Sequence, residues 1–171
     1  MTRHTESTAF LTAPAQMVFE HLDDHTRLGE HMSRSSTMMG GGRMTYEFDE
    51  AQGRAVGAHI KMGGTAFGIP IFVDEVVTER IPARRKVWRT VGTPRLLIIA
   101  WYEMGFELKP MNGGTELRVW IDYELPLSGV GRLLGRLSGT SYARWCVQRM
   151  VSDAVNHFSS ALPAATSKSA A

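Results

Sequence analysis

Two histidines with the spacing of metal ligands are the first residues in the sequence whose types could do chemistry. His21 and His25 are four residues apart, and Asp24 lies beside His25. On a helix this spacing places both imidazoles on one face, where they could bind the same metal ion. Protein metal sites use three or four ligands, and no third ligand is evident in the sequence. We therefore predict no metal and no cofactor.

The single cysteine, Cys146, is a second candidate because Arg144 and Arg149 lie close to it. Nearby positive charge can stabilise a reactive thiolate, but a thiol inside a helix is usually inert. No Ser, His and Asp arrangement indicates an activated nucleophile, and the glycines at 40–42 lack the Lys-Ser/Thr pair of a phosphate-binding loop. These motifs predict no catalytic residue.

A set of apolar and tyrosine side chains, together with one arginine, could instead bind a ligand. Methionine adapts to irregular guests, and a buried tyrosine hydroxyl needs a hydrogen-bond partner. The alternative is that the same side chains simply pack a core. The candidate ligand-binding residues are Tyr46, Phe48, Ile60, Met62, Arg89, Tyr102, Met104, Tyr123 and Met150.

The orientation of Arg89 is open. In one register Arg89 faces inward, where it could bind a carboxylate or phenolate with Glu75 as its partner, since a buried charge must be paired. The opposite register turns Trp88 and Thr90 inward and leaves Arg89 in solvent. The pattern around Arg89 permits both registers.

The elements that would position these residues are antiparallel strands. Apolar and polar residues alternate over 98–108 and again over 117–125, separated by a turn rich in Pro, Asn and Gly, which predicts a hairpin. Weaker alternation predicts further strands at 44–48, 56–62, 71–80 and 86–93, and a first strand at 7–11. The inward faces of the clearest strands carry no His, Asp or Glu, which disfavours general acid and base catalysis.

One strong helix is predicted from about Tyr142 to Leu162. Ser141 is a plausible N-cap, and Pro163 ends the pattern. The helix carries a broad apolar stripe at helical spacing that should pack on the sheet, formed by Val147, Met150, Val151, Ala154, Val155, Phe158 and Leu162.

The stretch 126–139 has two competing interpretations. It combines leucines at helical spacing with Arg132, Arg136 and several glycines. Apolar residues with arginines suit transient contact with a membrane surface, so this segment could be a mobile lid. Amphipathic stripes more often face a core, which predicts instead a short helix packed over the open end of the sheet.

Length and composition predict one ordinary globular domain. The 171 residues, 43% hydrophobic and 21% charged, fit a single domain over 1–163 followed by a flexible tail at 164–171. A net charge of +2 without a basic stripe excludes nucleic acid as a partner. The single cysteine suits a reducing compartment, and no stretch resembles a signal peptide or a membrane span, so we predict a cytoplasmic protein of unknown oligomeric state.

Several local patterns carry a family resemblance. The opening segment 10–16, Phe-Leu-Thr-Ala-Pro-Ala-Gln, is followed by Val18, Phe19, Leu22 and Asp24. Gly114 and Thr115 precede the last strand, which leaves through Tyr123 to Pro126 toward the terminal helix. Over nearly the whole chain, to about residue 160, these patterns resemble the polyketide cyclase/dehydrase and lipid-transport group of the START-like (Bet v 1-like, SRPBCC) superfamily.

The resemblance implies an α+β helix-grip fold. In that fold a curved antiparallel sheet of seven strands wraps around a long C-terminal helix, two short helices follow the first strand, and a ligand cavity lies between sheet and helix. Many relatives have a tryptophan in the region corresponding to 30–32, whereas this chain has Glu30, His31 and Met32 there. The role of that tryptophan is therefore not carried over.

The functional hypothesis that follows is the binding or transport of a small hydrophobic molecule, such as a lipid, isoprenoid or aromatic polyketide. A polyketide cyclase, aromatase or dehydrase type of enzyme is the alternative that the resemblance permits. It would act mainly by folding a reactive chain, with Tyr46, Tyr102, Tyr123 or Arg89 assisting proton transfer. The third hypothesis is a peripheral membrane shuttle that releases its ligand through 126–139.

Overall fold

The fold is a seven-stranded antiparallel sheet with a long C-terminal helix. A computed structural model describes residues 1–28, 44–127 and 129–160. The strands are β1 (Arg3–Leu11), β2 (Met44–Phe48), β3 (His59–Ala66), β4 (Ile69–Ile81), β5 (Arg85–Arg95), β6 (Trp101–Met111) and β7 (Gly114–Glu124). The helices are α1 (Ala15–Asp23), α2 (His25–Leu28) and α3 (Gly129–Ser160). The predicted tail at 164–171 and the segments 30–32 and 40–42 lie outside the described residues.

The strand order is β1-β7-β6-β5-β4-β3-β2. Strands β2 to β7 each pair with the next strand in the sequence, whereas β1 pairs with β7 and not with β2. All pairings are antiparallel. The β6–β7 hairpin has the predicted alternation, because Met104 pairs with Ile121 and Phe106 with Val119, all of them buried. The sheet is curved and, with α3 and the two short helices, has the predicted helix-grip architecture.

The core lies between the inner face of the sheet and the helices. The predicted apolar stripe of α3 is buried there through Val147, Met150, Val151, Ala154 and Phe158. A second, smaller cluster of Ala58, Ile60 and Val77 lies apart from this core, with Phe48 packed against it. No helix in the described ranges is both long enough and apolar enough to cross a membrane.

The start of α3 differs from the prediction. The helix begins at Gly129 rather than near Tyr142, so Ser141 is an interior residue and not an N-cap. The glycines that suggested a loose segment instead allow close packing. A Cβ at Gly135 would lie 2.8 Å from the Ile98 carbonyl oxygen, and one at Gly139 would lie 2.6 Å from a methyl carbon of Leu125. The first half of α3 therefore packs tightly on the loop between β5 and β6.

Candidate ligand cavity

A cavity of about 110 Å³ lies between the inner face of the sheet and α3. On the same scale a single water molecule takes about 10–15 Å³, so the space suits a small organic molecule. Its wall is largely apolar and includes Met44, Met62, Ile71, Val73, Leu96, Leu97, Ile98, Ile99, Met104, Ile121 and Met150. Phe67, at the β3–β4 turn, lines the cavity and is 58% exposed, which marks the opening.

Five of the nine predicted ligand-binding residues line this cavity. They are Tyr46, Met62, Tyr102, Met104 and Met150. Phe48 and Ile60 belong to the smaller cluster near β2 and β3 instead. Tyr123 is buried on β7, where its hydroxyl donates a hydrogen bond to Thr140 Oγ1 of α3 at 3.2 Å, outside the cavity.

The inward orientation of Arg89 is wrong. Arg89 is exposed, whereas Trp88 and Thr90 are each only 3% exposed and face the interior. Trp88 on β5 pairs with Met104 on the neighbouring strand β6, and it lines the cavity. The large apolar indole takes the inner face because burial of the guanidinium would require a charged partner there. Glu75, its supposed partner, is engaged elsewhere.

Glu75 is an acidic group on the inner face of β4, which is not one of the clearest strands, and the sequence suggested it only as a possible partner of Arg89. It lies on β4 between two buried valines, is 2% exposed and lines the cavity. The Tyr102 hydroxyl donates a hydrogen bond to Glu75 Oε1. Burial raises the pKa of Glu75 to about 8, and the Tyr102 hydrogen bond opposes this rise. Glu75 is therefore mainly protonated at neutral pH.

His25 also lines the cavity, but it does not form a metal pair with His21. The His21 ring stacks on that of His157 at the end of α3, with 3.9 Å between ring centroids. His25 packs edge to face against Trp88, and its Nδ1 lies 3.2 Å from Lys86 Nζ. Among the residues with described positions, no group of three or more His, Cys, Asp or Glu side chains is placed to hold a metal ion.

The buried Lys86, which is not itself a lining residue of the cavity, contacts His25. Lys86 is 0% exposed, and its Nζ donates to the Asp23 backbone oxygen at 2.9 Å and to Asp23 Oδ1 at 2.7 Å. Arg80 donates to the same carboxylate, with its closest contact at 2.7 Å. Burial, together with the charge of Lys86, lowers the pKa of His25 to about 3. His25 is therefore a neutral imidazole at physiological pH.

The thiol and the hydroxyl of α3 in the cavity wall contact each other. Burial raises the pKa of the Cys146 thiol to about 12, although a hydrogen bond with Tyr142 opposes the rise. Cys146 is therefore a protonated thiol at neutral pH, and its neighbouring arginines do not activate it. The position of Cys146 inside the predicted helix had already indicated an inert thiol.

Comparisons with known proteins connect the chain to solved structures only. No family model matches, and no curated protein matches. The Zhui aromatase/cyclase from Streptomyces sp. R1128 is 16% identical, with a TM-score of 0.71, over 97% of this chain and 99% of that chain. The major latex-like protein 151 from Panax ginseng is 13% identical, with a TM-score of 0.62, over 95% and 99%.

A third similar structure is the di-domain ARO/CYC StfQ from the steffimycin biosynthetic pathway. It is 12% identical, with a TM-score of 0.60, and the match covers 94% of this chain and 53% of that one. At these identities the likeness concerns the fold. The chain has the helix-grip fold, and this fold is similar to those of the solved structures named above.

Proposed function

We propose that this protein binds a small hydrophobic molecule in the cavity between the sheet and α3, and acts as a carrier or sensor of that molecule. The observation that carries the proposal is an apolar space of about 110 Å³ that the side chains of the fold leave unfilled. Protein interiors normally pack without such voids, so an apolar cavity favours a guest.

The wall favours a lipid, an isoprenoid or an aromatic polyketide. Met44, Met62, Met104 and Met150 can adjust their side chains to a guest of irregular shape. Trp88 and the tyrosines present aromatic surfaces. Two of the similar structures are aromatase/cyclases by name, which supports an aromatic polyketide as one class to test.

The test is a thermal-shift measurement with palmitic acid, farnesol and 1,4-naphthoquinone, combined with native mass spectrometry of the purified protein. A ligand at a hundredfold excess over its Kd stabilises by about 2.7 kcal/mol, which raises the Tm of a domain of this size by roughly 5–10 °C. Absence of any shift and of any bound mass in the wild type would overturn the proposal.

A matched pair of variants locates the binding. Ala66→Leu adds three carbons at the cavity wall, whereas Thr65→Leu places the same side chain on the exposed face of the same strand. We expect Ala66→Leu to abolish the ligand-induced shift and Thr65→Leu to retain it. An unchanged shift in Ala66→Leu would place the ligand elsewhere.

A second candidate function is an aromatase/cyclase type of enzyme, and Glu75 is the observation that favours it. A carboxyl group with a pKa of about 8, hydrogen-bonded to Tyr102 in an apolar cavity, is suited to proton transfer near neutral pH. The test is aromatic product formation from a linear poly-β-ketone thioester. Glu75→Gln should lower the rate about 100-fold or more, and Tyr123→Phe, outside the cavity, should leave it unchanged. No product above the uncatalysed rate would exclude this function.

We also propose that α3 contacts a membrane surface when ligand is exchanged. Leu127, Leu133 and Leu137 are 87%, 61% and 75% exposed. Gly131 and Gly135, on the same stretch of α3, pack against Leu97 and Ile98, which line the cavity. Exposed apolar side chains beside a cavity wall would bring the site next to lipid. Sedimentation with vesicles tests this contact.

A further inference from the structure

Two polar atoms of the cavity wall lack a hydrogen-bond partner among the residues described. They are His25 Nε2 and Glu75 Oε2, both buried. Two other polar groups of the wall do have partners, since the Tyr102 hydroxyl donates a hydrogen bond to Glu75 and the Tyr142 hydroxyl hydrogen-bonds with Cys146. Buried polar atoms are nearly always satisfied in proteins, so unsatisfied ones in a cavity indicate a place for ligand atoms.

The proton of His25 lies on the unsatisfied nitrogen. Lys86 can only donate hydrogen bonds, so His25 Nδ1, 3.2 Å from Lys86 Nζ, must accept. The ring is neutral because burial lowers the pKa of His25 to about 3. A neutral imidazole with an accepting Nδ1 carries its hydrogen on Nε2. His25 therefore presents one donor, and Lys86 is the residue that fixes this tautomer.

The carboxyl group of Glu75 presents a second donor. Its Oε1 accepts from the Tyr102 hydroxyl, which leaves Oε2 as the atom that carries the proton of the neutral acid. Trp88 connects the two groups in space. Its ring centroid is 4.8 Å from that of His25, and its side chain hydrogen-bonds to the Glu75 carboxyl group, which opposes the rise in the pKa of Glu75. Both groups therefore lie beside Trp88 in the wall of the same cavity.

We propose that His25 Nε2–H and Glu75 Oε2–H form a donor pair that binds the carbonyl oxygen of an otherwise apolar, uncharged ligand. A carbonyl oxygen has two lone pairs and can accept from both donors. An anionic ligand fits less well, because Lys86, the cation beside His25, already pairs with Asp23, and the described wall of the cavity is otherwise uncharged and largely apolar. The inference rests on the proposed function, since it specifies the chemistry of that ligand.

The test compares two probes with one carbon skeleton, 1-tetralone and tetralin, by calorimetric titration. The double variant Glu75→Met/Tyr102→Phe removes the Glu75 carboxyl group and the Tyr102 hydroxyl while keeping side chains of similar volume. Glu75→Gln keeps an acceptor for Tyr102 and an N–H donor for the ligand. Tyr123→Phe removes a buried hydroxyl outside the cavity and serves as the matched control.

We expect the ratio of tetralone to tetralin affinity to fall at least tenfold in Glu75→Met/Tyr102→Phe, about the effect of one hydrogen bond. Glu75→Gln keeps both a donor and an acceptor, and Tyr123→Phe lies outside the cavity, so both variants should keep the ratio within about threefold of the wild type. Retained tetralin binding shows that each variant folds. A ratio unchanged in the double variant, or lost in Glu75→Gln, overturns the inference while the proposed function stands.

Infrared spectroscopy of the wild type gives an independent measurement if the double variant does not fold. The carbonyl stretch of bound 1-tetralone should lie at lower frequency than that of 1-tetralone in hexane, because two donors polarise the bond. A stretch at the hexane position overturns the inference. Binding of neither probe by the wild type also overturns the inference, whereas the proposed function stands or falls separately with the thermal-shift and mass measurements.

Discussion

Two buried ionisable groups, His25 and Glu75, are held neutral in the cavity wall by opposite shifts. Burial lowers the pKa of His25 to about 3 and raises that of Glu75 to about 8. In each case the charged form is disfavoured because the apolar surroundings cannot solvate it. The consequence is a site that offers hydrogen bonds without net charge, which matches an apolar guest with one polar atom.

The raised pKa of Glu75 predicts a loss of stability at alkaline pH. Between its ordinary value of 4.5 and its folded value of about 8, the unfolded chain releases a proton that the folded protein keeps. Stability is therefore complete below 4.5 and falls as pH rises, by roughly 1.4 kcal/mol per unit at most. His25 stays neutral in both states above its ordinary value of 6.5, so it adds no slope there.

The measurement is urea unfolding of wild type and Glu75→Gln at pH 6.5 and pH 8. We expect the wild type to lose roughly 2 kcal/mol more than Glu75→Gln across this interval. The titratable groups that influence Glu75 are Tyr102, Tyr46, Asp74 and Lys86, and all four remain in the variant. Glu47→Gln, at an exposed position of β2, is the control and should follow the wild type. Parallel curves for wild type and Glu75→Gln would contradict the raised pKa.

Lys86 is predicted to be the most costly single residue to replace in the buried ion network. Lys86→Met leaves Asp23 with Arg80 alone and leaves His25 Nδ1 without a donor. Breaking a buried pair by removing one partner costs about 3–5 kcal/mol. Lys61→Met, exposed on β3, should change the free energy of unfolding by less than about 0.5 kcal/mol. A loss below about 1 kcal/mol for Lys86→Met would show that the network contributes little.

At the scale of elements, the sequence predicts where strands alternate between apolar and polar residues better than it predicts which face of the sheet each side chain occupies. The unbroken alternation of β6 and β7 identified Tyr102 and Met104 as inward residues. On β4 and β5 the alternation is interrupted, because the pairing shifts between Phe72 and Asp74 and again between Val77 and Glu79. Such shifts depend on contacts between strands and leave no local signature, so the orientation of Arg89 could not be predicted from its neighbours.

The start of α3 shows a second limit. Glycines have low helix propensity, so those in 129–139 favoured a break before Tyr142. The glycines are tolerated because the helix approaches Pro126 and the loop at Ile98 more closely than any side chain would allow. This tertiary reason cannot be read from the segment alone.

Gly135→Ala is therefore predicted to destabilise the protein, against its intrinsic helix preference. Alanine in a helix gains about 1 kcal/mol over glycine. The added Cβ would lie 2.8 Å from the Ile98 carbonyl oxygen and 3.0 Å from Pro126 Cδ. Overpacking typically costs about 1–3 kcal/mol, so we expect a net loss in urea unfolding. Gly131→Ala, whose Cβ would have its closest contact at 3.2 Å, should be less harmful. Greater stability of Gly135→Ala than of the wild type would contradict this packing.

At the scale of the whole molecule, tight packing and open space occur together. The core beneath α3 is filled by Val147, Val151 and Phe158, while the same helix leaves a cavity beside Cys146 and Met150. A curved sheet and a straight helix meet along a line, and the space to one side must be filled or left open. The helix-grip fold therefore contains a cavity of the kind that the sequence predicts, whereas the positions of the polar atoms in its wall depend on the geometry of β4 and α2.

Membrane contact is the prediction that concerns the outer surface of this assembly. Burial of one apolar side chain contributes roughly 1.5–3 kcal/mol, and about 1.4 kcal/mol corresponds to a tenfold change in binding. Leu133→Ser/Leu137→Ser should therefore lower the fraction that sediments with phosphatidylcholine/phosphatidylglycerol vesicles by at least tenfold in partition coefficient. Ile81→Ser/Met111→Ser removes exposed apolar residues from the ends of β4 and β6 and should sediment like the wild type. Failure of the wild type to sediment at both low and high salt would exclude membrane contact and leave the exposed leucines as ordinary surface.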